Sequence, residues 1–187
     1  MAVLSAKEGE KQMEKAKVHI YCGDGKGKTT AAVGLAVRAA GSGMKVHFVQ
    51  FLKGSPTSEI AALEKIQNIT IRRCDKDYGF TFTMSDEDKA AITACHDRLL
   101  AEALGLMESG GADMVILDEF NAAYACGLLD KELADRLVLD KPADIELVLT
   151  GRDPQPKFVE AADYVSEILA VKHPYSRGIE ARKGIEF

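Results

Sequence analysis

Three glycines alternate with charged residues in Gly23-Asp24-Gly25-Lys26-Gly27-Lys28-Thr29-Thr30. Glycine lets a backbone curl through φ values that other residues avoid, so successive N–H groups can point inward at an anion. Lys28 adds a mobile cation, and the Thr29 hydroxyl is suited to a magnesium ion. A largely apolar run, Val18-His19-Ile20-Tyr21-Cys22, precedes the loop, and an Ala-rich run follows Thr30. A strand therefore feeds the loop and a helix leaves it, contributing unpaired N–H groups and the positive end of its dipole. That combination holds the polyphosphate of a nucleotide. In the usual eight-residue pattern the first glycine would fall at Cys22; here the loop starts at Gly23, is shorter by one residue and carries an extra lysine, Lys26. The plain alternative is a glycine-rich turn with no ligand. A phosphate site, moreover, names no reaction.

A second constellation lies at Asp113-Met114-Val115-Ile116-Leu117-Asp118-Glu119, an apolar strand ending in two carboxylates. Ligands of parallel α/β sheets sit beyond the carboxyl ends of strands. An acid at such a tip, downstream of a phosphate loop, is the expected partner of magnesium. Thr29, Asp118 and Glu119 are therefore the candidate metal residues, the alternative being that the two acids cap the next helix. Thr150-Gly151-Arg152 places another polar turn at the end of an apolar run.

The elements that must position these groups read as a doubly wound α/β domain. Strands are predicted over 17–21, 44–51, 69–73, 113–119, 145–149 and 164–171, and helices from Lys28 through Ala40 and over 58–66, 130–138 and 158–162. Gly41-Ser42-Gly43 ends the first helix. A strand, a helix and a strand of these lengths form a βαβ unit, which implies a mostly parallel sheet with helices on both faces. Ser85 opens a long helix, with Asp88 completing a capping box and Ile92, Cys95, Leu99, Ala103 and Leu106 as its buried stripe; Gly110-Gly111 ends it. The segment 75–85 is a loop that exposes aromatic residues. Residues 1–16 are expected to form a flexible polar arm, residues 17–187 the single domain, and the tail 172–187 has no core-like period.

A chain of 187 residues is long enough for one well-buried domain. Its net charge of −5 argues against a general attraction to nucleic acid. No apolar run approaches the length that spans a membrane. Cys22, Cys74, Cys95 and Cys126 show no C-x-x-C spacing and follow no secretory leader, so they are expected to be reduced, mostly buried thiols of a cytoplasmic protein.

Several separated stretches occur together in order: Gly-Asp-Gly-Lys-Gly-Lys-Thr-Thr-Ala-Ala from Gly23, Val-Gln-Phe-Leu-Lys-Gly from Val49, Gly-Phe-Thr-Phe from Gly79, Leu-Asp-Glu from Leu117, Thr-Gly-Arg from Thr150, and Val-Lys-His-Pro-Tyr followed by Gly-Ile near the end. With them the chain resembles the ATP:corrinoid adenosyltransferases of the CobA/CobO/BtuR type over nearly everything after Lys17. The resemblance implies a RecA-like P-loop domain and an alkyl transfer, in which the Co(I) centre of a corrinoid attacks the 5′ carbon of ATP and triphosphate leaves intact. It implies that the nucleotide lies reversed in the loop relative to kinases, bringing C5′ toward the acceptor. Gly23, Asp24, Gly25, Lys26, Gly27, Lys28, Thr29, Thr30, Arg38 and Arg152 would then bind the nucleotide, with Mg²⁺ on Thr29, Asp118 and Glu119. Lys28, Glu119, Phe80 and Phe82 would carry the catalysis, the two aromatics lying under the corrin ring. Phe82 stands where bacterial members often carry Trp, and Asp24 where the family often has Asn. His173 is read as structural or peripheral to the corrin.

The resemblance further implies a homodimer and a flavoprotein-type electron donor, with no nucleic acid or membrane partner. Two other readings of the same residues stay open. A P-loop small-molecule kinase would need a base for an acceptor hydroxyl, and would release ADP. An ATP-gated corrinoid carrier would bind without turnover, with Phe80 and Phe82 as an interaction patch.

Overall fold

Among the residues described by the computed structural model (15–54, 57–79 and 81–186), six strands pair into one sheet. The strands are β1 (Val18–Cys22), β2 (Val46–Gln50), β3 (Ile69–Arg73), β4 (Met114–Asp118), β5 (Glu146–Thr150) and β6 (Tyr164–Glu167). Their order is β3-β2-β4-β5-β1-β6 and every neighbouring pair is parallel. All carboxyl ends therefore lie along one edge. β2 and β4 are buried along their whole length, as a parallel strand covered on both faces must be.

Helix α1 (Lys28–Gly41) leaves β1 and crosses β5 and β4 to reach β2. Its buried residues are Ala32, Ala36, Ala39 and Ala40, small enough for the helix to approach Phe48, Ile116 and Val148 closely. Alternation sends the opposite side chains, Ile20, Val49, Leu117 and Leu149, into a second core. There they meet α3 (Asp86–Glu108), α5 (Lys131–Leu139) and α6 (Pro156–Ala161) through Leu100, Leu137 and Phe158. Helices thus cover both faces of the sheet. Local chemistry sets the helix starts. Ser85 accepts from the Asp88 N–H ahead of α3, Asp130 accepts from Glu132 and Leu133 ahead of α5, and Pro156 opens α6.

The strand and helix bounds depart modestly from those read in the sequence. α2 (Ser58–Leu63) stops three residues before Ile66, and β6 ends at Glu167 instead of running to residue 171. In the long stripe, Ile92, Leu99 and Ala103 are buried, whereas Cys95 and Leu106 are only partly so; His96, Leu100, Leu104 and Met107 complete the face. Helix α4 (Phe120–Ala125) has no counterpart in the sequence reading. Phe120, Asn121, Ala123 and Tyr124 are all buried, so six residues give no polar face and no period to detect. Residues 1–14 of the expected arm lie outside the described residues; Ala16 is already tied in, its N–H donating to the Ala143 carbonyl at 2.8 Å.

The reading of the cysteines needs correction. Cys74 and Cys95 are joined in a disulfide that links the end of β3 to the middle of α3. Cys22 is a buried thiol as expected, but Cys126 is exposed. Two cysteines separated by 21 residues carry no pairing signal in the sequence; the sheet and helix bring them together.

Candidate functional site

At the carboxyl end of β1 the chain turns through Gly23 (φ 92°) and Gly27 (φ 128°), backbone conformations that a side chain resists. The loop is walled by the strand that follows α6. The Gly25 N–H donates to the Ile168 carbonyl at 2.7 Å, and a Cβ on Gly25 would stand 2.7 Å from backbone atoms of Ile168 and Leu169. Lys28 folds back over the loop, donating to the Gly23 and Gly25 carbonyls at 2.8 Å each. Burial holds its ammonium below the ordinary lysine range, partly offset by Glu119. Asp24 and Arg152 face each other across the mouth at 3.4 Å, both well exposed, and Lys26 and Thr30 are exposed beside them.

Asp118 is fully buried, and its two oxygens take four donors. Oδ1 accepts from Thr29 Oγ1 (2.8 Å) and Thr150 Oγ1 (2.7 Å); Oδ2 accepts from Lys53 Nζ (3.0 Å) and Gln50 Nε2 (3.2 Å). Strand register explains the convergence, since Gln50 lies opposite Asp118 across β2 and β4, and Thr150 ends β5 next door. Thr150 also accepts from the Glu119 N–H at 2.9 Å. Lys53 completes the set with a hydrogen bond to Thr29 Oγ1 at 3.0 Å and an ion pair with Glu119 Oε1 at 3.8 Å. Burial alone would lower the Lys53 pKa, but Asp118 and then Glu119 outweigh it and raise it above the ordinary lysine value.

Thr29, Asp118 and Glu119 are therefore brought together, and a cation, the Lys53 ammonium, already rests among them. A hydroxyl and one or two carboxylates beside a phosphate loop form a donor set that suits magnesium, which takes its remaining ligands from phosphates and water. Among the described residues no cluster of three or more His, Cys, Asp or Glu side chains forms a self-sufficient metal cage.

Backbone strain marks the same edge. Among the described residues, the non-glycine positions with positive φ are Leu52 (59°), Glu119 (59°) and Asp153 (49°), each just past a carboxyl end, of β2, β4 and β5 respectively. Such positions cost about 1–3 kcal/mol each and gather at functional sites. At Leu52 the strain is held by a buried histidine. His96 donates from Nδ1 to the Leu128 carbonyl (2.7 Å) and accepts the Leu52 N–H on Nε2 (3.3 Å), so it must be neutral. Burial holds His96 below the ordinary histidine value of 6.5 despite the Leu128 bond, and burial does the same to His47. Groups with depressed folded pKa values contribute stability that is complete above the unfolded value and is lost as pH falls through the folded one. Denaturant titrations from pH 7 downward should show stability falling below pH 6.5, by up to about 1.4 kcal/mol per pH unit for each histidine. His47→Leu should flatten that slope, and an unchanged slope would contradict the assignment.

Glu119 has the opposite sign. Burial raises its pKa, and Asp118 adds to the rise while Lys53 and Lys28 work against it. Its contribution to stability is complete below the unfolded value and is lost as pH rises through the folded one, so the ionised carboxylate weakens the fold at neutral pH. Glu119→Gln is expected to stabilise the protein at pH 7.5 by about 0.5–1 kcal/mol while depressing turnover. Parallel denaturation and activity measurements check this, and a destabilised variant would refute the expectation.

A cavity of about 1160 Å³ opens from Thr29 and Thr30 past Lys53, reaching Glu59, Asp77 and Gly79. Gly54, next to Lys53, lets the chain pass against the 77 loop, where a Cβ would stand 2.2 Å from the Asp77 Cα. The model of the ATP:corrinoid adenosyltransferase family, BtuR/CobO/CobP, matches residues 14–187. The chain belongs to this family. A corrinoid adenosyltransferase of Pseudomonas aeruginosa is 36% identical over 189 residues, covering 100% of this chain and 91% of the relative. One of Escherichia coli strain K12 is 32% identical over 185 residues, covering 98% and 92%. A protein of Salmonella typhimurium named corrinoid adenosyltransferase CobA is 32% identical over 188 residues, with the same coverage. The family is one of enzymes, and its P-loop α/β fold agrees with the parallel sheet described above.

The other residues named from the sequence fall in different places. Phe82 stands on a short 3₁₀ turn (Thr81–Thr83) and is 83% exposed; Phe80 lies outside the described residues. Arg38 sits in the last turn of α1, roughly 15 Å along the helix from Lys28 at 1.5 Å per residue. There its charge favours the helix C-terminus. His173 accepts the Tyr175 N–H at the start of a 3₁₀ turn (Pro174–Arg177), a structural contact. Sequence reasoning assigned no role to Lys53, Gln50 or Thr150. Their signal was position: each ends or follows an apolar strand on the ligand-bearing edge. Among the described residues no helix is long and apolar enough to cross a membrane.

Proposed function

We propose that the protein transfers the 5′-deoxyadenosyl group of ATP to the Co(I) centre of a corrinoid, with triphosphate leaving intact. The observation that carries this reading is the single cavity joining Thr29 and Thr30 of the phosphate loop to Asp77 and Gly79 of the aromatic loop. A nucleotide on one wall and a large planar ring on the other would share one space. A Co(I) nucleophile needs no general base. The kinase alternative needs one, which Asp118 or Glu119 would have to supply. Asp118, fully buried and accepting four hydrogen bonds, is badly placed to receive a proton from an acceptor hydroxyl, which leaves Glu119, already paired with Lys53.

Lys28, Lys26 and the loop N–H groups would hold the polyphosphate and stabilise the charge that grows on it as the carbon–oxygen bond breaks. Thr29, Asp118 and Glu119 would hold Mg²⁺, which supplies charge neutralisation on the departing phosphates. Arg152 and Asp24 flank the nucleotide entrance. Phe82, with Phe80, would face the corrin and exclude a lower axial ligand, leaving cobalt easier to reduce. Arg38 is assigned to a nucleotide contact on the strength of the family pattern alone, and Asp24, where the family often has Asn, on its place in the phosphate loop. A flavoprotein-type reductant, a homodimeric state and a cytoplasmic setting complete the proposal.

An anaerobic assay with ATP, Mg²⁺ and chemically reduced cobalamin tests it. The expected result is a light-sensitive adenosylated corrinoid formed with one triphosphate per turnover. Corrinoid binding without alkylation would favour the carrier, and ADP with no corrinoid effect would favour the kinase.

A further inference from the structure

Lys53 places its ammonium on the oxygens a divalent cation would use. Its Nζ is 3.0 Å from Thr29 Oγ1, 3.0 Å from Asp118 Oδ2 and 3.8 Å from Glu119 Oε1. The backbone that carries it is fixed from both sides. The strained Leu52 before it is bonded to His96, and its own carbonyl accepts from Arg73 Nη2 at 2.8 Å. Only the side chain is left to move, and it borders the large cavity in company with Thr29 and Thr30. Magnesium bound to Thr29 and either acid would lie within a few ångströms of that ammonium, where like charges repel strongly in a half-buried site.

We propose that Lys53 is the resident counter-cation of the Thr29–Asp118–Glu119 cluster, and that the cluster admits a divalent metal only when a polyphosphate on the loop draws the ammonium away. The inference rests on the phosphate-loop reading of the site and is independent of the corrinoid as acceptor. Its logic is an exchange of charge. The acid pair is never uncovered, because one cation leaves as the other arrives. Of the two Asp118 oxygens only Oδ2 loses a donor in the exchange, keeping the Gln50 amide and a free lone pair, since Thr150 and Thr29 keep Oδ1 engaged. The displaced ammonium gains the polyphosphate as a partner within the same cavity. Metal alone meets a site whose charge is already met, and nucleotide alone loses the compensation that the metal gives. Binding of the two is therefore coupled through one side chain, a coupling that a merely structural ion pair does not produce.

Mn²⁺ binding followed by electron paramagnetic resonance, with no nucleotide present, tests the idea on the full chain. Lys53→Met and Lys53→Gln should bind Mn²⁺ at least tenfold more tightly than the unsubstituted protein, and Lys53→Arg, which keeps the charge, should stay near it. Lys53→Gln retains a hydrogen-bonding head and guards against a folding failure of the methionine variant. Adding inorganic triphosphate should raise Mn²⁺ affinity strongly in the unsubstituted protein and far less in the two neutral variants. Equal or weaker Mn²⁺ binding by both neutral variants overturns the proposal, as does the absence of Mn²⁺ binding in every protein. If triphosphate changes nothing while the neutral variants still bind Mn²⁺ more tightly, the phosphate-loop reading fails and the admission step with it, whereas the counter-cation role survives.

Discussion

Gly25→Ala is expected to weaken nucleotide binding by about 100-fold, close to 2.7 kcal/mol, and to lower stability by about 1–3 kcal/mol. The added methyl would meet the Ile168 carbonyl and the Leu169 backbone at 2.7 Å, well inside van der Waals contact. None of those atoms belongs to a flexible side chain, so the loop itself must move, and the Gly25 N–H bond to the Ile168 carbonyl is disturbed with it. Gly27→Ala makes an informative comparison. A Cβ there would find its nearest neighbour at 3.8 Å, the Ile168 side chain, so space is not the constraint; the φ of 128° is. The two variants should both lose affinity, by collision in one and by backbone strain in the other. Titration with a fluorescent ATP analogue, alongside urea denaturation, reads both effects. A Gly25→Ala protein with unaltered affinity would mean that the wall at 168–169 does not shape the loop.

The second large effect is expected at Asp118. Asp118→Ala removes the acceptor shared by Thr29, Thr150, Gln50 and Lys53. The two hydroxyls can turn to other partners, but the Gln50 amide is buried and the Lys53 ammonium loses its main compensation. Leaving such groups unpaired costs about 3 kcal/mol in comparable interiors. Adenosylation should fall by 1000-fold or more, because the hydroxyl, the acid and the ammonium are held in place by one carboxylate. Asp118→Asn separates the two consequences: it keeps the shape and an acceptor oxygen, so most stability should return while turnover stays low. Denaturation midpoints and single-turnover rates provide the check. Near-normal stability of Asp118→Ala would show that the four donors are satisfied elsewhere.

The strands, the parallel sheet and the two-sided helical cover were legible because each is written in a repeating pattern or a local cap. Ser85 with Asp88 announces α3, and the apolar run Met114-Val115-Ile116-Leu117 announces β4. The phosphate loop and the acid pair were legible for a different reason, since glycine spacing and a carboxylate at a strand tip are themselves the chemistry. What stayed hidden is whatever depends on two distant segments meeting. Helix α4 hides because it is short and mostly buried, with no polar face, and the Cys74–Cys95 link because its partners meet only across the fold. Lys53 hides because a lysine after a strand looks like any solvated charge until the pairing of β2 with β4 brings its ammonium within 3.0 Å of Asp118. The strain at Leu52 and Glu119 is likewise invisible, since neither residue type advertises a positive φ.

The wall at Ile168 has a consequence for the order in which the protein comes into being. β6 pairs only with β1, at the edge of the sheet, and its exit supplies the carbonyl that anchors Gly25. The phosphate loop leaves the ribosome well before its anchor. Until residue 168 has emerged and docked, a nascent chain carries the nucleotide motif without one side of its mould. A chain cut short before β6 should therefore keep the motif in full and yet fail to retain ATP.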